Sequence, residues 1–135
     1  MKRSGYIKRY TPLRRGNKFG AKPVHDTRTG ESWDSKGEHR YWGQLKILER
    51  AGDITDLVLH PKVVLLPRDG NNTEIAFRPD YSYREDGRTV YVDYKPRPQT
   101  ARETLMFKLW KRFGPGVLLI VGNKGQIIKT IMGGS

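Results

Sequence analysis

A chain of 135 residues has room for one folded domain and little beyond it. It contains no cysteine, which rules out a disulfide framework, thiolate zinc sites and cysteine nucleophiles together. Its 26 lysines and arginines against 14 acids give a net charge of +12, which favours polyanionic partners and nucleic acid above all. A generically basic soluble protein or a ribosomal-type RNA binder carries similar charge. No apolar run approaches the ~18 residues of a membrane span, and the basic N-terminus lacks the apolar block of a signal peptide. The expectation is a soluble, cytoplasmic protein without a membrane partner.

The first acid in the chain is Asp26. Before it come Lys8, Arg9, Arg14, Arg15, Lys18 and Lys22 among glycines, prolines and tyrosines, without helical or strand periodicity. Residues 1–23 are therefore expected to form a flexible basic arm that either grips phosphates or serves as a solubilising tail. Residues 24–135 are expected to form the folded domain.

Ser35-Lys36-Gly37-Glu38 has the form of a helix capping box. Behind it Tyr41, Leu45 and Leu48 recur at helical spacing up to Ala51-Gly52, predicting a helix over 36–51. Strand patterns follow at 54–59, 62–67, 74–84 and 88–95. Thr100 and Glu103 make a second capping box, opening a helix through Phe113 with an apolar stripe of Leu105, Leu109, Trp110 and Phe113. Residues 117–121 suit a buried strand and 126–131 a last one, joined by the Asn123-Lys124-Gly125 turn. The order predicts an α/β fold, a mixed central sheet flanked by helices.

The segment 74–95 carries the chemistry. Asp86-Gly87 is a two-residue hairpin signal, because glycine accepts the positive φ of a type I′ turn. Counting outward from it, Glu85 faces Arg88, Asp80 faces Asp93 and Arg78 faces Lys95. Alternation then places Asp80, Asp93 and Lys95 on one face and Phe77, Tyr81, Tyr83, Val90, Val92 and Tyr94 on the other. Two carboxylates opposite one another repel. Either a hard divalent cation sits between them, or they belong to a solvated face and pair with nearby arginines. His25, His39 and His60 show no ligand spacing and are expected as surface or loop residues. Lys36, Lys108, Lys111 and Arg112 are candidates for touching DNA backbone.

Pro79-Asp80, twelve residues and then Asp93-Tyr94-Lys95 resembles the signature of the PD-(D/E)xK nuclease superfamily. The acid-bearing helix ahead of it, with Glu38, and the order of elements resemble that superfamily's αβββαβ restriction-endonuclease-like core. Asn17-Lys18-Phe19-Gly20-Ala21-Lys22, Asp34-Ser35-Lys36-Gly37-Glu38 and Leu48-Glu49-Arg50-Ala51-Gly52-Asp53-Ile54 are similar to segments of phage-encoded nuclease-like proteins, some of whose relatives are Holliday junction resolvases. Pro96 departs from the pattern, where glycine often follows the lysine.

The resemblance implies a metal-dependent DNA endonuclease with Glu38, Asp80, Asp93 and Lys95 as its catalytic set. Asp80 and Asp93 would ligate Mg²⁺ or Mn²⁺, with the backbone carbonyl of Tyr94 as a third ligand. Glu38 would bind directly or through water, or serve only as a helix cap. Lys95 would orient water or stabilise charge on the phosphate. The implied substrate is a branched four-way DNA junction, cut by a homodimer in the host cytoplasm if the gene is phage-borne. The alternatives are a nuclease of the same chemistry acting on flaps, ends or duplex sites, and a non-catalytic nucleic-acid-binding protein.

Overall fold

The structure, a computed structural model, describes residues 24–25, 32–33 and 36–134. The expected basic arm lies outside the described residues, with its phosphate-binding candidates Lys8, Arg9, Arg14, Arg15, Lys18 and Lys22. So does Ser35, the expected cap of the first helix.

Two short strands, β1 (Val24–His25) and β2 (Ser32–Trp33), pair antiparallel ahead of helix α1 (Lys36–Arg50). Tyr41, Trp42, Leu45 and Leu48 recur at helical spacing and are buried, which fixes the face that α1 turns inward. The helix stops in a Schellman motif. The Gly52 N–H donates to Glu49 O and the Asp53 N–H to Leu48 O, both at 3.0 Å, with Gly52 at φ +84°.

Strand β3 (Thr55–Leu59) leads to a separate antiparallel ribbon of β4 (Val63–Leu66) and β5 (Ile75–Phe77). Then come β6 (Tyr81–Glu85), β7 (Arg88–Tyr94), helix α2 (Ala101–Phe113), β8 (Val117–Val121) and β9 (Ile127–Met132). The central sheet runs β3-β6-β7-β8-β9, antiparallel except between β7 and β8. A parallel pair needs a long crossover, and α2 supplies it. With the ribbon set aside, the order from α1 onward is α1-β3-β6-β7-α2-β8-β9, which contains the expected αβββαβ run of a mixed α/β sheet and adds one edge strand.

The sheet separates two apolar layers. Against α1 pack Tyr81, Tyr83, Val90, Val92, Val117, Leu119 and Val121. Against α2 and the ribbon pack Leu118, Ile120, Ile131, Val63 and Leu65. Strand β8 alternates between the layers and is buried throughout, as a central parallel strand should be.

The β6–β7 register matches the expectation from Glu85↔Arg88 through Tyr81↔Val92. Asp86 and Gly87 have φ of +53° and +81°, the double positive φ of a type I′ turn. Four details differ. The expected strand over 74–84 is two strands, because Pro79 has no N–H to continue a ladder and the chain leaves the ribbon there for the main sheet. The Arg78–Lys95 pairing is consequently not formed, and the Lys95 N–H bonds Val121 O instead. Phe77 falls in the α2 layer, edge-on to Phe107 and Trp110, rather than beside Tyr81. In α2 the buried stripe is Met106, Phe107 and Trp110, while Leu105 and Phe113 are exposed.

Candidate functional site

Four segments converge at one end of β6 and β7. The first turn of α1 carries Glu38, the end of β3 leads to His60, the residue before β6 is Asp80, and β7 with its extension carries Asp93 and Lys95.

Glu38 is buried at 3% exposure, an unusual state for a carboxylate. Two features hold it there. The Tyr81 hydroxyl donates to Glu38's backbone carbonyl at 2.6 Å, tying the helix start to β6. Gly37 lets the helix approach closely, since a Cβ at that position would land on the Tyr94 hydroxyl. The Lys36-Gly37-Glu38 run thus owes its glycine to packing against β7.

Asp80 is set by β7 in turn. Its Oδ2 accepts a hydrogen bond from the Tyr94 N–H at 2.7 Å. Its carboxyl lies close enough to those of Glu38 and Asp93 for the three acids to act on one another's charge. Burial and then the Glu38 charge push the Asp80 pKa up to about 8, against the Tyr94 N–H and Lys95. Burial and then the Asp80 charge push Asp93 up to about 7, with Lys95 opposing. Carboxyls so close share protons when no other positive charge is supplied.

Lys95 is the nearest positive group. Its Nζ lies 2.9 Å from Asp93 Oδ2 and 3.0 Å from Glu103 Oε2. Burial alone would lower its pKa, but Asp93 and Glu103 outweigh that and raise it, so the ammonium stays charged. Glu103 also closes the α2 cap, accepting from the Thr100 N–H at 2.8 Å while its own N–H donates to Thr100 Oγ1 at 3.1 Å. The capping role was legible in the sequence. Glu103's grip on Lys95 was not.

His60 is an exposed loop residue, as expected, but its place beside the acids was missed. An imidazole nitrogen and carboxylate oxygens of Glu38 and Asp80 lie within 4.8 Å of one another. The His60 N–H donates to Asp80 O at 2.8 Å and its φ is +54°, a conformation that non-glycine residues adopt only at some cost. That turn swings the side chain toward the acids. Ligands around one octahedral ion at ~2.1 Å would lie roughly 3 to 4.2 Å apart, so a small inward shift lets all three reach a common cation. The Glu38, His60 and Asp80 cluster can therefore hold a metal ion.

Of the expected site residues, the structure brings together Glu38, Asp80, Asp93 and Lys95. The backbone-contact candidates Lys36, Lys108, Lys111 and Arg112 are all exposed. Among the described residues, no helix is long and apolar enough to cross a membrane.

Residues 16–113 match the model of a family described as protein of unknown function (DUF1064). The chain belongs to that family. The family's matched region contains every side chain of the acid cluster, together with Lys95 and Glu103, and ends with α2. No match to a curated protein was found.

Proposed function

We propose that this protein is a metal-dependent endonuclease that hydrolyses phosphodiester bonds in DNA and acts on branched four-way junctions. One observation carries the proposal. Three carboxyl groups, Glu38, Asp80 and Asp93, crowd together on a protein of net charge +12, with the Lys95 ammonium 2.9 Å from Asp93. Acids weaken binding to phosphate unless a cation lies between, so their concentration here in so basic a chain argues for one.

The donors fit a hard divalent cation, because they are mostly carboxylate oxygens whose shared protons a cation would displace. Glu38, Asp80 and Asp93 would hold it, with the Tyr94 carbonyl and His60 as further donors. When bound, Mg²⁺ or Mn²⁺ supplies Lewis acidity and lowers the pKa of an attacking water. Lys95 donates to a phosphate oxygen and stabilises the charge that grows there. Glu103 and Asp93 keep the lysine charged and pointed. Glu38's placement rests on Tyr81 and Gly37. No protein nucleophile is needed.

Two symmetric cuts across a junction need two active sites, which favours a homodimer. Lys36, Lys108, Lys111, Arg112 and the arm would supply phosphate contacts. The substrate assignment is tested by comparing cleavage of a four-way junction, a flap and a linear duplex in Mg²⁺. Preferential junction cleavage is expected, and equal cleavage of all three would leave a nuclease without junction selectivity.

A further inference from the structure

Beside the acid cluster lies a cleft of opposite character. It is lined by Gly37, Arg40, Tyr41 and Gln44 from α1, by Tyr94, and by the β8–β9 turn at Asn123, Lys124 and Gly125. The α1 residues fall at helical i, i+3, i+4 and i+7 spacing, so one stripe of the helix forms the wall. The lining holds two cations, two amides and two phenols, and no carboxylate.

The two sites adjoin at the start of α1 and the end of β7. Gly37 precedes Glu38, and Tyr94 sits between Asp93 and Lys95. The Tyr94 hydroxyl feels the charges of Arg40, Glu38 and Asp80 together. The far wall is held in shape. The Gly122 N–H bonds Gln126 O, the Gly125 N–H bonds Gly122 O, and the Lys124 N–H bonds Gln126 Oε1, each at 2.9 Å. Gly125 has φ +78°, which a residue with a side chain would resist.

From this arrangement we propose that the cleft is a subsite for one backbone phosphate of a nucleic-acid strand, held jointly by Arg40 and Lys124 next to the phosphate at the acid cluster. The inference rests on the nuclease reading above and names how that site would hold its strand. Guanidinium and ammonium groups are the usual ligands of phosphodiester oxygens, and the amides of Asn123 and Gln44 extend the donor set. The cleft's empty space, open solvent included, is about 220 Å³. The cleft is shallow and open to solvent, which suits a phosphate on a strand lying across it better than an enclosed cofactor. The alternation of an acid cluster with a basic cleft matches a strand whose scissile phosphate meets a cation and whose neighbour does not.

Binding of a labelled four-way junction to the full chain in EDTA, over a series of salt concentrations, tests the proposal. Wild type is compared with Arg40→Ala, Lys124→Ala, the double variant and Lys129→Ala, an exposed lysine outside the cleft. One phosphate held by two groups predicts weaker binding with only partial flattening of the slope of log affinity against log salt in each single variant, and a total flattening of about 0.9 in the double variant. Lys129→Ala should differ from wild type less than either. An unchanged slope in the double variant would overturn the subsite, and a loss of about 0.9 in each single variant that doubles in the double variant would show two separate phosphates rather than one.

A second arm titrates wild type with inorganic phosphate and follows the Asn123, Lys124 and Gly125 amides by NMR. Shifts that vanish in the double variant and are suppressed by prior junction binding support the proposal. Shifts that persist with junction bound would make the occupant a free phosphate and contradict it. Neither arm needs cleavage. A wild type that binds as expected but never cuts would remove the nuclease reading and leave the cleft standing.

Discussion

The ammonium of Lys95 and the carboxylate of Glu103 meet at 3.0 Å, and that carboxylate is also the one that closes the N-terminal cap of α2. Helix position and lysine orientation are therefore set by a single side chain. Two substitutions separate its roles. Thr100→Ala breaks the cap but leaves the ion pair, and should cost about 1 kcal/mol of stability with little change in cleavage. Glu103→Gln keeps a neutral acceptor but removes the charge, and should slow cleavage roughly tenfold, as loss of supporting partners commonly does. Thermal melts and single-turnover rates on both variants check this. Equal rate losses in the two would mean that Glu103 acts only as a cap.

The raised pKa values of Asp80 (about 8) and Asp93 (about 7) dictate how metal-free stability follows pH. An unfolded aspartate releases its proton near pH 4. Between there and pH 7 to 8 the folded protein holds protons that the unfolded chain has lost. The stabilisation from these groups is full below about pH 4 and disappears as pH rises through the folded values. The Tm of EDTA-treated protein should fall between pH 5 and 8.5. Saturating Mg²⁺ should raise it more at pH 8.5 than at pH 5, and Asp80→Asn should flatten the slope. A Tm that rises with pH in EDTA and keeps that slope in Asp80→Asn would contradict the shared-proton picture.

Gly37 permits the close approach of α1 to Tyr94. Alanine ordinarily favours a helix over glycine by about 1 kcal/mol. Here its Cβ would strike the Tyr94 ring and hydroxyl, so Gly37→Ala should instead destabilise by about 1–3 kcal/mol. Adding Tyr94→Phe should recover part of the loss, since the two positions are in contact. A higher Tm in Gly37→Ala would show that the helix start has room to move.

His60 adds a nitrogen to an otherwise oxygen-rich cluster. Imidazole contributes more to transition-metal ions than to Mg²⁺. Calorimetry should show His60→Ala weakening Mn²⁺ binding more than Mg²⁺ binding. An equal effect on both ions, or none, would place the imidazole outside the coordination sphere.

Local signals carried most of the fold. Asp86-Gly87 set the hairpin register, Thr100 and Glu103 announced α2, and the apolar run 117–121 marked the central strand. The register in turn put Asp80 near Asp93. What escaped depends on contacts between distant segments. His60 meets Glu38 only because β3 and β6 pair and a left-handed turn follows, and neither is written in the spacing around it. Glu103 reaches back to Lys95 across the bend at Pro96. The break at Pro79 was visible, but the alternation on either side of it masked a change of sheet.

Metal-dependent hydrolysis of DNA by the acids and Lys95 is the activity proposed above. The most direct measurement is cleavage of a labelled four-way junction as Mg²⁺ is titrated, for wild type, Asp80→Asn, Asp93→Asn and Lys95→Ala. Wild type should show no cleavage in EDTA and saturable cleavage with Mg²⁺. Neither asparagine variant should cleave, with junction affinity intact or improved, and Lys95→Ala should lose ~10²–10³-fold in rate. Wild-type rates in Asp80→Asn or Asp93→Asn, or cleavage that is indifferent to Mg²⁺, would contradict the proposed activity.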